Sequence, residues 1–183
     1  MNKIIAIVGM SGSGKSMACN LLTKKDYKSV YFGGIIYKKM QEEGIEITPD
    51  SQKEFRENLR KKHGMGVVAK LLLEEITTLY KNGNVVLDGL YSWDEYKILK
   101  EKFPCLKLIA IITDKNTRYK RVEKRIDRPF SYDDIVKRDI AEIENSAKGG
   151  PIAYADYYIL NNGTTEKYQE RLNEIIKQIE KEV

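Results

Sequence analysis

Cysteine, histidine and long apolar runs are scarce in this chain, and each scarcity closes off a class of protein. The two cysteines, Cys19 and Cys105, imply no disulfide framework, and neither has the spacing of a metal ligand. Both read as small buried hydrophobes, Cys19 in a predicted helix and Cys105 just before an apolar run. The single histidine, His63, stands at a predicted helix end and reads as a cap or surface residue. No apolar run is long enough to span a membrane. The stretch Ile4–Val8 is too short for a signal-peptide core and runs straight into Gly9, so the expected location is cytoplasmic. Internal repeats, low-complexity tracts and linkers are also missing, and residues 1–183 are expected to form a single domain.

What is present is an ordinary globular balance, 42% hydrophobic and 32% charged, with 32 basic and 27 acidic residues for a net charge of +5. That modest excess favours anionic ligands. It admits nucleic acid, but nucleotides satisfy it equally well.

Ile4–Val8 is a continuous β-branched run, as in a strand buried on both faces. Further strands are expected at Ser29–Phe32, Val85–Leu87, Leu106–Ile112 and Tyr157–Leu160. Helices are expected between them: from Lys15, over Tyr37–Glu43, from Thr48-Pro49 through Arg60, and over Val67–Lys81 and Trp93–Lys102. Others should cover Lys115–Ile126, ended by Arg128-Pro129, then Tyr132–Asn145, and a final amphipathic stretch carrying Tyr168, Leu172, Ile175, Ile176 and Ile179. Lys148–Pro151 reads as a loop. Strands alternating with helices predict an α/β fold, three layers deep, with five parallel strands.

Gly9–Ser16, GMSGSGKS, fits G-x-x-x-x-G-K-[ST] through Gly9, Gly14, Lys15 and Ser16. Glycines let backbone N–H groups curl around phosphates without Cβ clashes. The helix that follows turns its dipole and free N–H groups toward the anion. Lys15 is placed to reach the β- and γ-phosphates, and the Ser16 hydroxyl to hold Mg²⁺. Ser11, Gly12, Ser13 and Met17 complete the cradle. The motif lies between an apolar strand and a helix, which is the context it requires.

A second acidic element ends the third strand. In Val85-Val86-Leu87-Asp88-Gly89, Asp88 takes the place of the carboxylate that holds the metal directly or through water. Farther on, Arg118, Arg121, Arg125 and Arg128 fall within roughly 80° of one another on a helix. Such a face, arginine only, suits a lid (about residues 115–131) that closes over a nucleotide and neutralises a moving phosphoryl group. Arg138 follows in the next helix.

On the acceptor side, an insertion of about residues 33–66 carries Arg56, Arg60 and His63 on one face. An anionic acceptor would want Arg56 or Arg60. Tyr37, Tyr91 and Trp93 are candidates to stack on an acceptor base, or to be core.

The order GMSGSGKS, VVLDG, R-x-x-x-R and ADYYILNNGT resembles the nucleoside monophosphate kinase superfamily, a group of P-loop kinases. TDKNTRYKRVEKR and Ala155–Thr164 are similar to dephospho-CoA kinase. FRENLRKKHGMG, KRDIAEIE and KGGPIAYADY look more like adenylate-kinase-related proteins. The resemblance implies that Arg121, or else Arg118, stacks on adenine, and that Asn161 and Gly163 lie beside it. It implies that Arg125 contacts phosphates and that Arg138 bridges donor and acceptor phosphates. ATP and Mg²⁺ are the implied cofactors, and a nucleoside monophosphate or dephospho-CoA-like molecule the implied acceptor. Two positions depart from the pattern. Leu90-Tyr91-Ser92 stands where an arginine often follows Asp-Gly, and Gly34 follows Gly33 where an aspartate is common. Transfer to a small acceptor is the first expectation. A slow ATPase serving regulation or RNA assembly is the second, and a sugar or metabolite kinase the third.

Overall fold

The structure is a computed structural model that describes residues 1–125 and 130–182. In chain order the elements are β1 (Ile4–Val8), α1 (Lys15–Thr23), β2 (Lys28–Tyr31), α2 (Phe32–Glu42), α3 (Pro49–His63), α4 (Val67–Lys81) and β3 (Val85–Asp88). Then follow α5 (Trp93–Lys102), β4 (Lys107–Ile112), α6 (Lys115–Glu123), α7 (Tyr132–Glu144), α8 (Gly149–Ala153), β5 (Tyr157–Leu160) and α9 (Thr165–Lys181).

The strands form one sheet in the order β2-β3-β1-β4-β5, and every pairing is parallel. β1 is the middle strand, and all five of its residues are buried. Its side chains alternate between two cores. Ile4, Ala6 and Val8 join Ile36, Met40, Leu72, Ile76 and Leu99 beneath α2, α4 and α5. Ile5 and Ile7 join Ala18, Leu22, Leu172 and Ile176 beneath α1 and α9. Each buried Ile or Val side chain is worth about 1.5–3 kcal/mol, so the continuous apolar run of β1 fits only a strand covered on both faces. This is the three-layer α/β architecture expected from the sequence.

Parallel pairing places all strand C-termini on one edge. Ile7 of β1 is in register with Asp88 of β3 and Ile109 of β4, and Ile112 of β4 with Leu160 of β5. The loops after β1, β3, β4 and β5 therefore open together, as ligand-binding edges do in such sheets.

Three segments differ from the sequence expectation. α2 begins at Phe32 instead of Tyr37, and Gly33 and Gly34 lie in its first turn. The Tyr31 ring lies over Gly33, where a Cβ would press on it. The expected loop at Lys148–Pro151 contains the short helix α8. Proline is tolerated in its first turn because that N–H has no helical partner to lose, and a Cβ at Gly150 would press on Trp93 at 3.1 Å. α6 ends at Glu123 instead of Ile126, and the expected stop at Arg128-Pro129 lies outside the described residues. Among the described residues no helix is long and apolar enough to cross a membrane.

Candidate functional site

The loop from Gly9 to Gly14 joins the middle strand to α1, and three of its glycines have positive φ: 146° at Gly9, 79° at Gly12 and 106° at Gly14. Space demands glycine there too. A Cβ at Gly12 would meet the Arg118 carbonyl oxygen at 2.8 Å, and one at Gly14 the Asn161 Nδ2 at 2.3 Å. The loop is thus held by α6 on one side and by the end of β5 on the other.

That grip is made of hydrogen bonds. Arg118 is buried; its Nη1 donates to the Ser11 carbonyl at 2.9 Å, and both Nη atoms engage Asp139 of α7, at 3.0 and 2.6 Å. Asn161 Nδ2 donates to the Ser13 carbonyl at 2.8 Å, and Thr113 Oγ1 to the same carbonyl at 3.0 Å. Arg121 Nη2 donates to the Asn161 carbonyl at 2.9 Å. Arg121 and Asn161, paired by the resemblance, are therefore neighbours. Gly163 lies in the exposed turn beyond, with nothing near where a Cβ would be.

Lys15 opens α1, and its Nζ donates back across the loop to the Met10 carbonyl at 3.0 Å. Burial, and after it the charges of Lys148 and Arg138, pull its ammonium down to about 7, against the opposing pull of Glu142 and Asp88. Asp88, at the end of β3, is pushed up by burial, while Lys15 and the Cys19 thiol beside it pull it down. Cys19 is buried as expected, but it has a polar neighbour that the sequence did not indicate; burial first, then Asp88, pushes its thiol up. Ser16 and Met17 are exposed in the first turn of α1.

Two residues that sequence reasoning passed over complete the cluster. Glu142 lies one turn beyond Arg138 on α7, and its Oε2 accepts from the Ser11 backbone N–H at 3.2 Å and from Lys148 Nζ at 2.7 Å. Arg138 Nε donates to the other oxygen at 3.4 Å. Burial alone would push the Glu142 carboxyl up; Lys148, Lys15 and Arg138 hold it below its ordinary value. Lys148 is 1% exposed and lies over the Tyr91 ring, 4.5 Å from its centre. The available signal was the i, i+4 spacing of Arg138 and Glu142. Lys148 gave none, because its reach depends on a turn at Ala147, whose φ is 48°.

The other candidate residues are dispersed. Arg125 is exposed just past the end of α6, where Arg138 and Glu142 act on it; Arg128 lies outside the described residues. Arg60 is turned inward on buried Glu95 at 3.5 Å and Ser146 at 3.2 Å. Arg56 is half-buried, and its charge bears on Tyr91. Tyr37 is half-buried on α2. Trp93 packs on Tyr96 and Tyr154, with ring centres 5.1 and 5.3 Å away. His63 is exposed at the end of α3 and lines an open hollow of about 470 Å³ that contains none of the loop residues.

The chain has relatives among known proteins. A family model described as an AAA domain matches residues 5–141. A UPF0200 protein of Thermococcus kodakarensis is 33% identical over 181 residues, covering 96% of this chain and 97% of the relative. The chain belongs to the UPF0200 family. As a UPF0200 chain it shares the fold of the P-loop kinase superfamily. Dephospho-CoA kinase from Campylobacter jejuni superposes with a TM-score of 0.63 at 19% identity, covering 98% of each chain. A shikimate kinase from Acinetobacter baumannii, in complex with shikimate, gives 0.60 at 16% identity, covering 97% of this chain and 95% of that one. At those identities the likeness is one of fold.

The residues at the strand edge fit a magnesium nucleotide. The Ser13 hydroxyl and Arg121 Nη1 are buried with no hydrogen-bond partner among the described residues, so each has hydrogen-bonding capacity to spare for a ligand. Ser16 and Asp88 offer the hard oxygens that Mg²⁺ prefers.

Proposed function

We propose that this UPF0200 chain is a cytoplasmic, ATP-dependent phosphotransferase that moves the γ-phosphoryl group to a small anionic acceptor. The observation that carries this reading is the gathering of Lys15, Arg138 and Lys148 around one edge of the phosphate loop. A binding loop alone needs one lysine. Three cations beside it suit a phosphoryl group whose charge must be balanced while it moves.

Under this reading the loop amides and Lys15 hold the β- and γ-phosphates, and Ser16 and Asp88 hold Mg²⁺, which would neutralise phosphate charge when bound. Arg121 and Asn161 face the adenine. The end of α6 brings Arg125 to the phosphates, residues 126–129 of the expected lid lying outside the described residues, and Arg138 bridges donor and acceptor. Residues of about 33–66 form the acceptor side, with Arg56 and Tyr37 available to it and Arg60 held by Glu95. The whole chain acts as one domain. A coupled assay of ADP release against nucleoside monophosphates, dephospho-CoA and small hydroxy acids tests the proposal. Release that is slow and indifferent to every acceptor would sink it.

One observation favours the second reading, a slow ATPase that gates another assembly. The position after Asp88-Gly89 is Leu90, buried in the core, so no arginine reaches toward an acceptor phosphate from there. The same assay separates the two.

A further inference from the structure

Glu142 Oε2 is the meeting point of two donors, the Ser11 N–H of the phosphate loop and the ammonium of Lys148. A backbone amide of an anion-binding loop and a buried lysine that converge on one oxygen make an oxyanion seat. In this structure the oxygen is supplied by the protein's own carboxylate. Lys148 is 1% exposed, and its other close neighbour is the face of Tyr91. Lys15 feels both the Lys148 and the Glu142 charges, so the seat adjoins the lysine of the loop itself.

Two anions cannot share this seat without strong repulsion. A phosphate oxygen arriving there finds the donors that Glu142 now uses, and the carboxylate must give way. We propose that Lys148 is a second phosphate-contacting lysine, held in reserve by Glu142 until a triphosphate displaces the carboxylate from Ser11. Glu142 is then a positioning residue. It keeps Lys148 charged and aimed at the loop, and it ties α7 to the loop. This rests on the reading that the loop takes a magnesium triphosphate.

The test is the dissociation constant of a non-hydrolysable ATP analogue with Mg²⁺, measured by calorimetry for wild type, Glu142→Gln and Glu142→Gln/Lys148→Met. The double variant leaves no buried lysine without its carboxylate, and the half-exposed Arg138 loses its Glu142 partner in both variants, so the step from single to double reports on Lys148. Glu142→Gln is expected to bind the analogue about threefold more tightly than wild type, because a neutral amide competes less well for the seat. Adding Lys148→Met is expected to weaken binding about ten- to a hundredfold, the worth of a charge-assisted hydrogen bond. Ligand-free melting curves report whether each variant folds. If the single variant does not fold, the double variant against wild type still decides, and weaker binding is expected. Equal constants for the single and double variants would overturn the proposal. So would a Glu142→Gln variant that binds more weakly than wild type, because Glu142 would then be scaffold alone. If wild type does not bind the analogue, the function proposed above falls with it; if wild type binds and the variants do not separate, only the role of Lys148 falls.

Discussion

Arg118 and Asp139 are joined at two points, Nη1 to Oδ1 at 3.0 Å and Nη2 to Oδ2 at 2.6 Å, and the same guanidinium donates to the Ser11 carbonyl. Three elements meet in that contact: α6, α7 and the phosphate loop. An arginine that looks from the sequence like part of an exposed stripe is therefore a buried tie.

The tie predicts a stability loss with a functional shadow. Replacing Asp139 by Ala leaves the Arg118 guanidinium buried without its carboxylate, a change that costs about 3–5 kcal/mol. Thermal or urea unfolding of Asp139→Ala measures it. A loss under 1 kcal/mol would mean that α6 and α7 are held by their apolar contact, Val122 on Ile135, and that the pair adds little.

Lys15 gives a proton-linkage prediction. Its ammonium lies at about 7 in the nucleotide-free protein because burial, and then the neighbouring cations, disfavour the charge. A bound triphosphate adds negative charge beside it and raises that value. At pH 8 the lysine is mostly neutral when free and charged when bound, so on binding Lys15 takes up close to one proton from the solvent. At pH 6 it is already charged, and the uptake vanishes. Affinity therefore falls as pH rises above 7. Calorimetry of an ATP analogue in two buffers of different ionisation enthalpy reads the uptake directly. Equal heats in both buffers at pH 8 would contradict it.

The base side of the site makes a separate prediction. Arg121 Nη2 is bonded to the Asn161 carbonyl and its Nη1 has no partner among the described residues, away from the Lys15 cluster in the hydrogen-bond network. Arg121→Ala should weaken ATP and ADP alike, about five- to thirtyfold for a loss of 1–2 kcal/mol. Pyrophosphate, which has no base, should bind as before. A variant that loses pyrophosphate as well would place Arg121 on the phosphates.

How much of this was legible beforehand follows from the range of each interaction. β1, the loop and α1 could be read because their signals are local: a β-branched run, glycines at set spacing, then a helix. The third and fifth strands carry the same kind of signal. What the sequence could not show is where a long side chain ends. Arg60 and Arg56 share a face at i, i+4, yet Arg60 turns inward because Glu95, 35 residues away, is buried beside it. Lys148 reaches the loop because Ala147 adopts a turn that no residue pattern announces. The helix expected from Tyr37 begins five residues earlier, at Phe32, and takes in Gly33 and Gly34.

That contrast between Arg56 and Arg60 supports the last prediction. Arg60 is 7% exposed and Glu95 fully buried, and the Glu95 carboxylate also accepts from the Tyr91 and Ser92 backbone N–H groups. Removing the arginine alone, as in Arg60→Met, leaves a buried carboxylate with two amides and no cation, which should cost about 3–5 kcal/mol. Adding Glu95→Gln removes the orphan charge and should recover most of that loss. Arg56 has no such partner among the described hydrogen bonds and is half-buried. Arg56→Ala should therefore change stability by about 0.5 kcal/mol or less, while raising the KM for an anionic acceptor and leaving the KM for ATP unchanged. Melting temperatures with steady-state kinetics on both substrates separate the roles. If Arg56→Ala leaves the acceptor KM unchanged, the acceptor charge is met elsewhere and Arg56 is no part of the acceptor site.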